Sequence, residues 1–238
     1  MIIHFTNFII QKIKSDPNYR LDEKITSIVL CSLLFSRLMA FMRGFLFQII
    51  RLRKPYCMFK GSRVIVKHSA MLKLHGTLTI GSAVTIDCLG TKGIELGHNV
   101  NIPDNCFIRC TGVISDLGIG IKIGNNTGLG HNNFINGQGG VVIGDDVIVG
   151  PDVKFLSENH IFTNSNIPIR NQGVTRKGIV ILSDVWIGAN VTILDGVTIG
   201  KGCVIGAGSV VSKSIPDFSI AVGIPCRVVK KRENSNNE

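Results

Sequence analysis

Between residues 181 and 212 the apolar positions follow one rule. Ile181, Ile187, Ile193, Ile199, Ile205 and Val211 recur every six residues without an exception. Four places after each of the first five stands a small or β-branched residue: Val185, Val191, Val197, Cys203 and Ser209. Gly188, Gly200 and Gly206 directly follow three of the isoleucines. A period of six matches neither a helix at 3.6 nor a half-buried strand at 2.0. It does match a solenoid in which each hexad makes one short flat face and one corner. At ~3.3 Å per residue a hexad spans roughly 20 Å with its bend, and three hexads close a triangular coil with every isoleucine inside. An ordinary series of apolar strands would not hold one register over six repeats.

The same spacing appears more loosely upstream. Ile80 and Ile86 are six apart, as are Leu96, Ile102 and Ile108, then Ile123, Leu129 and Ile135, then Ile143, Val149 and Phe155. Val84, Val100, Cys106, Val147 and Val153 fill the i+4 places. The register slips near 88–95, 110–120 and 137–141, where bulges or loops are expected. These patterns predict an all-β solenoid over 61–212. One interruption is larger: residues 157–178 read SENHIFTNSNIPIRNQGVTRKG and carry no repeat. Long irregular loops within compact domains tend to be functional or disordered. This one alternates His160, Arg170, Arg176 and Lys177 with amide and apolar side chains, a composition for a shaped loop.

Residues 1–60 form a different unit, a basic and apolar helical extension. A break is expected at Asp16-Pro17-Asn18, and no secretory signal pattern is present. Residues 25–50 are strongly apolar but interrupted by Arg37 and Arg43. The longest uncharged run, Ile25 to Ser36, falls short of the ~20 residues needed to span a bilayer. Arg37, Arg43, Arg51, Arg53 and Lys54 punctuate Phe41, Phe45, Leu46, Phe47, Ile49 and Ile50. Two readings fit: a helix lying on an anionic membrane through residues 25–54, or a cap over the open end of the solenoid. Lys54-Pro55 is expected to end the helix. Beyond 212, in the segment 213–238, Pro216 and Pro225 stop regular coils. Val228-Val229 can pack a short element back on the last coil, and a polar tail begins at Glu233.

Charge sharpens this division. The net charge is +10; residues 1–60 hold ten Lys/Arg against three Asp/Glu, or +7, and the rest holds +3. No aromatic-and-basic face accompanies that charge, so nucleic acid is not an expected partner. The 27 glycines and 6% aromatic content suit a narrow aliphatic core with many tight corners. Seven cysteines form no CxxC pair, and Cys88, Cys106 and Cys203 stand where the repeat wants small apolar residues. They read as reduced core cysteines of a cytosolic protein.

Three stretches, NIPIRNQG, then DVWIGANVTILDGVTIGKGCVIGAGSVVSKSIP, then VGIPCRVVKK, resemble the hexapeptide-repeat acyltransferases, specifically the sugar and xenobiotic O-acetyltransferase branch. The resemblance covers roughly 61–232. It implies a left-handed parallel β-helix, a homotrimer with active sites between neighbouring subunits, and transfer of acetyl from acetyl-CoA, as co-substrate, to a hydroxyl. His160 in ENHIF matches the family's catalytic histidine, the residue type whose pKa of ~6.5 suits it to taking a hydroxyl proton at neutral pH. Many relatives carry a second histidine two places earlier. Here that place is Glu158, which either orients the imidazole or faces solvent. His131, Asn132 and Asn133 resemble acceptor-facing positions, with a polar coil corner as the alternative. The family's acidic residue just beyond is replaced by Gly137-Gln138. For the donor, Trp186 and Ala189 match residues flanking the thioester, Ala207 a contact along the pantetheine arm, and Ser212 and Lys213 the family's Thr/Ser-Lys pair. Arg227 and Lys230 match basic residues near the nucleotide phosphates.

Two other functions compete with this one. A zinc-binding trimeric β-helix of the carbonic anhydrase type needs further histidines near His160 or His131. Residues 155 and 165 are Phe and Ser, and 126 and 136 are Asn, so no metal site is expected. A non-catalytic scaffold explains the repeat but not the His-bearing loop. The expected acceptor is a sugar or lipid-linked saccharide of a capsule, O-antigen or exopolysaccharide. An amino sugar or an antibiotic is the alternative. The expected setting is the cytoplasm, peripheral to the inner membrane.

Overall fold

Each hexad forms a strand of two or three residues and then turns, and successive turns stack in parallel. The computed structural model describes residues 2–14, 17–22, 24–51 and 56–232. The expected helix stop at Lys54-Pro55, the tail from Glu233 and Asp16 of the expected break lie outside the described residues, as does the side chain of His4. The body is a left-handed parallel β-helix of triangular section, a departure from the right-handed crossover that parallel strands ordinarily obey.

Among the described residues the first face begins with Met58–Lys60, Leu78–Ile80 and Val100–Ile102. It continues, after a bridge at Gly128, with Ile148–Val149, Trp186–Ile187, Val204–Ile205 and Ser219–Val222. The second face stacks seven strands from Ile65–Lys67 to Val210–Val211, and the third six from Leu72–Leu74 to Thr198–Ile199. Ile181, Ile187, Ile193, Ile199 and Ile205 all point inward, none more than 1% exposed, with Val185, Val191, Val197 and Cys203 beside them. Burying each such side chain contributes about 1.5–3 kcal/mol, so the hexad rule is a rule about which residue faces the core. The earliest strand, Met58–Lys60, already pairs with Leu78–Ile80. At the other end Ser219–Val222 still joins the stack past Pro216, and Arg227–Lys231 folds back on it antiparallel, the short returning element expected around Val228-Val229.

The corners turn on asparagine and aspartate. Asn99, Asn126, Asp146 and Asp184 hold positive φ where the third face passes into the first, and Asn105, Asn132, Asp152 and Asn190 do so between the first and second. These short polar side chains tolerate the left-handed region, and they also bond from coil to coil. Asn99 Nδ2 donates to Asn126 Oδ1 at 3.1 Å, and Asn126 Nδ2 to Asp146 Oδ1 at 3.2 Å.

Two helices precede the coil, α1 (Ile2–Lys14) and α2 (Ser27–Ile50). Thr26 caps α2, its side-chain oxygen accepting the Val29 N–H at 3.4 Å. Its 24 residues make a rod of about 36 Å. The helix is therefore long and apolar enough to cross a membrane by length and composition. That corrects the expectation taken from the longest uncharged run: arginine is a good helix former, and the helix runs unbroken through Arg37 and Arg43. The C-terminal half of α2 seals the first coil. Gly44 lies against the Met58 carbonyl, Phe47 packs on the core, and buried Gln48 bonds Tyr56 through both ends of its amide. Arg37 sits 5.7 Å over the Phe59 ring, and Arg43 Nε donates to the Lys60 carbonyl at 2.9 Å. The cap reading is realised here, yet Leu33, Leu34, Phe35, Leu38, Met42 and Leu46 on the remaining surface stay exposed.

Candidate active site

The irregular segments at 111–118, 137–140 and 157–178 all fall on one edge of the prism, where the second face passes into the third. The long loop leaves after Lys154–Leu156 and returns at Ile179–Ile181. Its base is a two-stranded antiparallel ribbon that pairs Asn159 with Thr175 and His160 with Val174. Gln172 shapes the tip, donating to the carbonyls of Asn164 (2.8 Å) and Ile167 (2.6 Å) while accepting the Asn164 N–H. Asp195 on the next coil accepts the N–H groups of Lys177 and Gly178 at 2.9 and 2.8 Å. The loop is shaped, as its composition suggested.

A cleft of about 340 Å³ opens beside the ribbon, lined by His160, Glu158, Arg176, Gln138, Arg109 and Asp116 among others. His160 is exposed, and among the described residues its ring makes no hydrogen bond. Glu158 does not hold the imidazole. Its Oε2 accepts from Arg176 Nε at 2.6 Å and from Gln138 Nε2 at 3.1 Å, which settles the open reading of Glu158 against an orienting contact. The reason is register: Arg176 stands one pair beyond Asn159 and Thr175, directly across the ribbon from Glu158, and its guanidinium takes the carboxylate. Arg176 Nη1 also reaches Asp116 Oδ1 at 2.8 Å, strapping the 157–178 loop to the 111–118 loop. Burial works against the charge on Arg176, but the hydrogen bonds it donates to the Glu158 and Asp116 carboxylates outweigh this and raise its pKa above the usual arginine value.

Arg109, at the outer end of Phe107–Arg109, is the other cation of the cleft. Its guanidinium carbon lies 5.5 Å from the centre of the Phe134 ring, and its Nε is buried without a hydrogen-bond partner. Sequence reasoning missed Arg109 and Asp116 and noted Gln138 and Arg176 only as a replacement and a loop charge. The signal was available: the register slips at 110–120 and 137–141 fall on the same corner as the long loop once coils are counted.

His131, Asn132 and Asn133 are not brought to this cleft. They form the corner before Phe134–Asn136, at the far end of that strand from Gln138. Asn132 takes the positive-φ corner position, and buried Asn133 accepts the Val153 N–H at 2.7 Å. The polar-corner reading holds within one subunit. Among the described residues, three further histidines are occupied elsewhere. His68 bonds Asp87 at 2.8 Å, His75 lies 3.6 Å from Glu95, and His98 Nδ1 accepts the Thr77 N–H at 3.3 Å.

The residues matched to the donor lie on other parts of the prism. Trp186, Val204, Ile220 and Lys230 stand side by side across four strands of the first face. Trp186 is 56% exposed, and the row passes from the indole through two half-buried aliphatics to an exposed cation. Arg227 pairs with Val222 at the near end of the same returning strand. Ala189 and Ala207 occupy successive corners between the first and second faces, linked through the Gly208 N–H to the Ala189 carbonyl at 2.8 Å. A side chain on Gly188 would come within 2.6 Å of the Ala207 nitrogen, so these corners are stacked as closely as backbones allow. Ser212 and Lys213 lie elsewhere, exposed on the same edge as His160 and two coils further on. A coil's vertex and its opposite face are about five residues of strand apart, on the order of 15 Å. His160 and Trp186 of one subunit therefore cannot touch the same small group.

Residues 178–213 match the family model described as bacterial transferase hexapeptide (six repeats). A Mycobacterium tuberculosis protein named as an acetyltransferase, Rv3034c, is 37% identical over 161 residues, covering 67% of this chain and 52% of the relative. The chain thus spans about half the length of that relative. A Staphylococcus aureus protein named as an acetyltransferase, SAR2635, is 45% identical over 152 residues, which is 60% of this chain and 75% of the relative. Among solved structures, a Bacillus cereus protein also named as an acetyltransferase superposes with a TM-score of 0.54 at 26% identity, over 73% of this chain and 86% of its own.

Proposed function

This chain belongs to the hexapeptide-repeat acyltransferases, and from that premise we propose that it moves an acetyl group from acetyl-CoA to a sugar hydroxyl with His160 as general base. The observation that carries the reading is the exposed, unbonded His160 imidazole held by a backbone ribbon at the mouth of a polar cleft. A sugar hydroxyl is a weak nucleophile at neutral pH. His160 takes its proton as the oxygen bonds to the thioester carbonyl carbon; the carbon–sulfur bond then breaks, and the imidazolium returns the proton to the departing sulfur. The products are the acetyl ester and the free thiol. A positioned base of this kind contributes about 10²–10⁴-fold.

The row from Trp186 to Lys230 fits the donor's chemistry. An indole and two aliphatic side chains suit the acetyl-pantetheine end, while Lys230 and Arg227 suit the phosphates, with the closely stacked Ala189 and Ala207 corners leaving backbone accessible to amides. Because His160 and this row stand on opposite sides of one prism, the site is completed by the first face of a neighbouring copy in a homotrimer.

The acceptor is a saccharide of surface-polymer biosynthesis, met at the cytoplasmic side of a membrane. Support comes from α2. Its residues 37–50 are held on the first coil. That leaves ten residues, 27–36, to enter a bilayer, about 15 Å against a hydrocarbon core of ≈ 30 Å. The exposed apolar surface of α2, with the +7 charge of residues 1–60, therefore lies along an anionic membrane rather than across it.

The test is release of free thiol from acetyl-CoA with and without sugars, followed by mass spectrometry of the acceptors. Acceptor-dependent thiol release with a mass gain of one acetyl group on a hydroxyl is expected. An amide product on an amino sugar would replace the hydroxyl acceptor, and no acceptor-dependent release would return the chain to a scaffold.

A further inference from the structure

Within the cleft, charge is distributed unevenly between two arginines. Arg176 is bound by both neighbouring carboxylates, Glu158 at 2.6 Å and Asp116 at 2.8 Å. Arg109 makes no ion pair among the described residues. Its in-register neighbours on the second face are Asp87 and Asn136. Asp87 Oδ1 is taken by His68 at 2.8 Å and by the Leu89 N–H at 3.2 Å, and Asn136 Oδ1 accepts the Gln138 N–H. The guanidinium rests on Phe134, itself stacked on Phe107 with ring centres 5.9 Å apart. An aromatic face holds the plane of a guanidinium and contributes attraction, but it supplies no acceptor for the N–H groups. A half-buried cation whose Nε has no partner is costly, unless an anion joins it for part of the working cycle.

We propose that Arg109 is the acceptor-recognition residue of the cleft and that the acceptor is an anionic sugar. Its carboxylate or phosphate pairs with Arg109 while a hydroxyl faces His160. This rests on the acetyl-transfer reading for the identity of the His160 half, and on the Arg109 geometry alone for the anion half. Arginine's fixed fork of donors suits either oxyanion. The cleft of about 340 Å³ has room for a sugar ring with its substituent, and with Arg176 committed to Glu158 and Asp116, Arg109 is the lining arginine left to pair with an acceptor anion. Phe134 and Arg109 together make a platform and a clamp on which the sugar's charged edge is fixed.

Three probes separate the possibilities: methyl glucoside, which is neutral; methyl glucuronide, which carries a carboxylate; and glucose 1-phosphate. Binding is measured by calorimetry in the full-length protein and in His160→Ala, and turnover in the presence of acetyl-CoA. The expected result is binding of at least one anionic probe about tenfold or more tighter than the neutral one, the usual worth of a hydrogen bond to a charged group. That preference persists in His160→Ala and disappears in Arg109→Gln, while Arg109→Lys keeps part of it. In turnover, Arg109→Gln raises the KM for the anionic acceptor without raising that for acetyl-CoA. Whichever anionic probe binds identifies the group. Equal binding of charged and neutral sugars, or an anionic preference untouched by Arg109→Gln, overturns the proposal and leaves acetyl transfer standing. Arg109-dependent anion binding with no acetyl transfer to any probe supports the subsite and removes the sugar-acetylating reading instead. Should Arg109→Gln fail to fold, Arg109→Met, which keeps an apolar stem against Phe134 and removes the charge, carries the same comparison.

Discussion

Arg176 Nε lies 2.6 Å from Glu158 Oε2, and the other arm of the same guanidinium reaches Asp116 at 2.8 Å. The carboxylate two residues before His160 is thereby committed to a strap between two loops. With side chains 17% and 13% exposed, Arg176 and Glu158 are sheltered enough for the pair to matter. The position of His160 is then set through the ribbon backbone and not by a hydrogen bond to its ring.

Breaking that strap should loosen His160 without touching it. Arg176→Ala is expected to lower kcat by roughly tenfold or more, since a hydrogen bond to a charged group contributes about 1.5–3 kcal/mol, with the KM for acetyl-CoA unchanged. Arg176→Lys should recover part of the loss through Glu158. Steady-state kinetics of the two variants checks this; equal loss in both, or a change confined to the donor KM, would argue against the strap.

A site shared between copies can be tested by mixing. His160→Ala and Trp186→Ala subunits, each severely impaired alone, should regain activity when co-refolded, because a hybrid trimer holds one site with both side chains intact. His160→Ala by itself should lose about 10²–10⁴-fold. Activity of the mixture that never exceeds the mean of its parents would place both side chains in one subunit's site or nowhere near the chemistry.

Gly44 is where α2 meets the coil. A methyl group there would stand 2.1 Å from the Met58 carbonyl oxygen, backbone that cannot swing away. Gly44→Ala should push the helix off the first coil and destabilise the protein by about 1–3 kcal/mol, as overpacking does. Protease cleavage around 51–57 should rise alongside. An unchanged melting temperature would mean that the cap contributes nothing to the coil.

The cysteines provide a pH test and a membrane reporter together. Burial raises the thiol of Cys106 to about 11 and that of Cys110 to about 12. An acid whose folded pKa is raised stays protonated, so its contribution is complete below the unfolded value of ~8.5 and is lost as pH climbs toward 11–12. Stability should fall between pH 9 and 11, and these thiols should resist iodoacetamide at pH 8, whereas exposed Cys31 on α2 reacts. Adding phosphatidylserine vesicles should slow alkylation of Cys31, and high salt should reverse this only in part. Equal Cys31 reactivity with and without vesicles would remove the membrane from the picture.

The sequence alone determined the coil. A period of six leaves one geometry in which each isoleucine is buried and each corner is short, and the structure follows it residue by residue from Ile181 to Val211. It also marked the loop around His160, because a 22-residue gap in so strict a pattern is visible without coordinates. The asparagines and aspartates of the corners carried a second period of the same length that an apolar reading passes over. Only the tertiary structure decided which residues share a cleft. Arg109, Gln138 and Arg176 are separated by up to 67 positions and meet because the loops near 111–118, 137–140 and 157–178 leave the coil at one edge. It likewise set His160 and Trp186 on opposite sides of the prism, although they are neighbours in the sequence of coils. Periodicity fixes whether a side chain points in or out. Which outward residues become neighbours depends on how many residues each interrupted coil spends before returning to register, and that count is settled by packing.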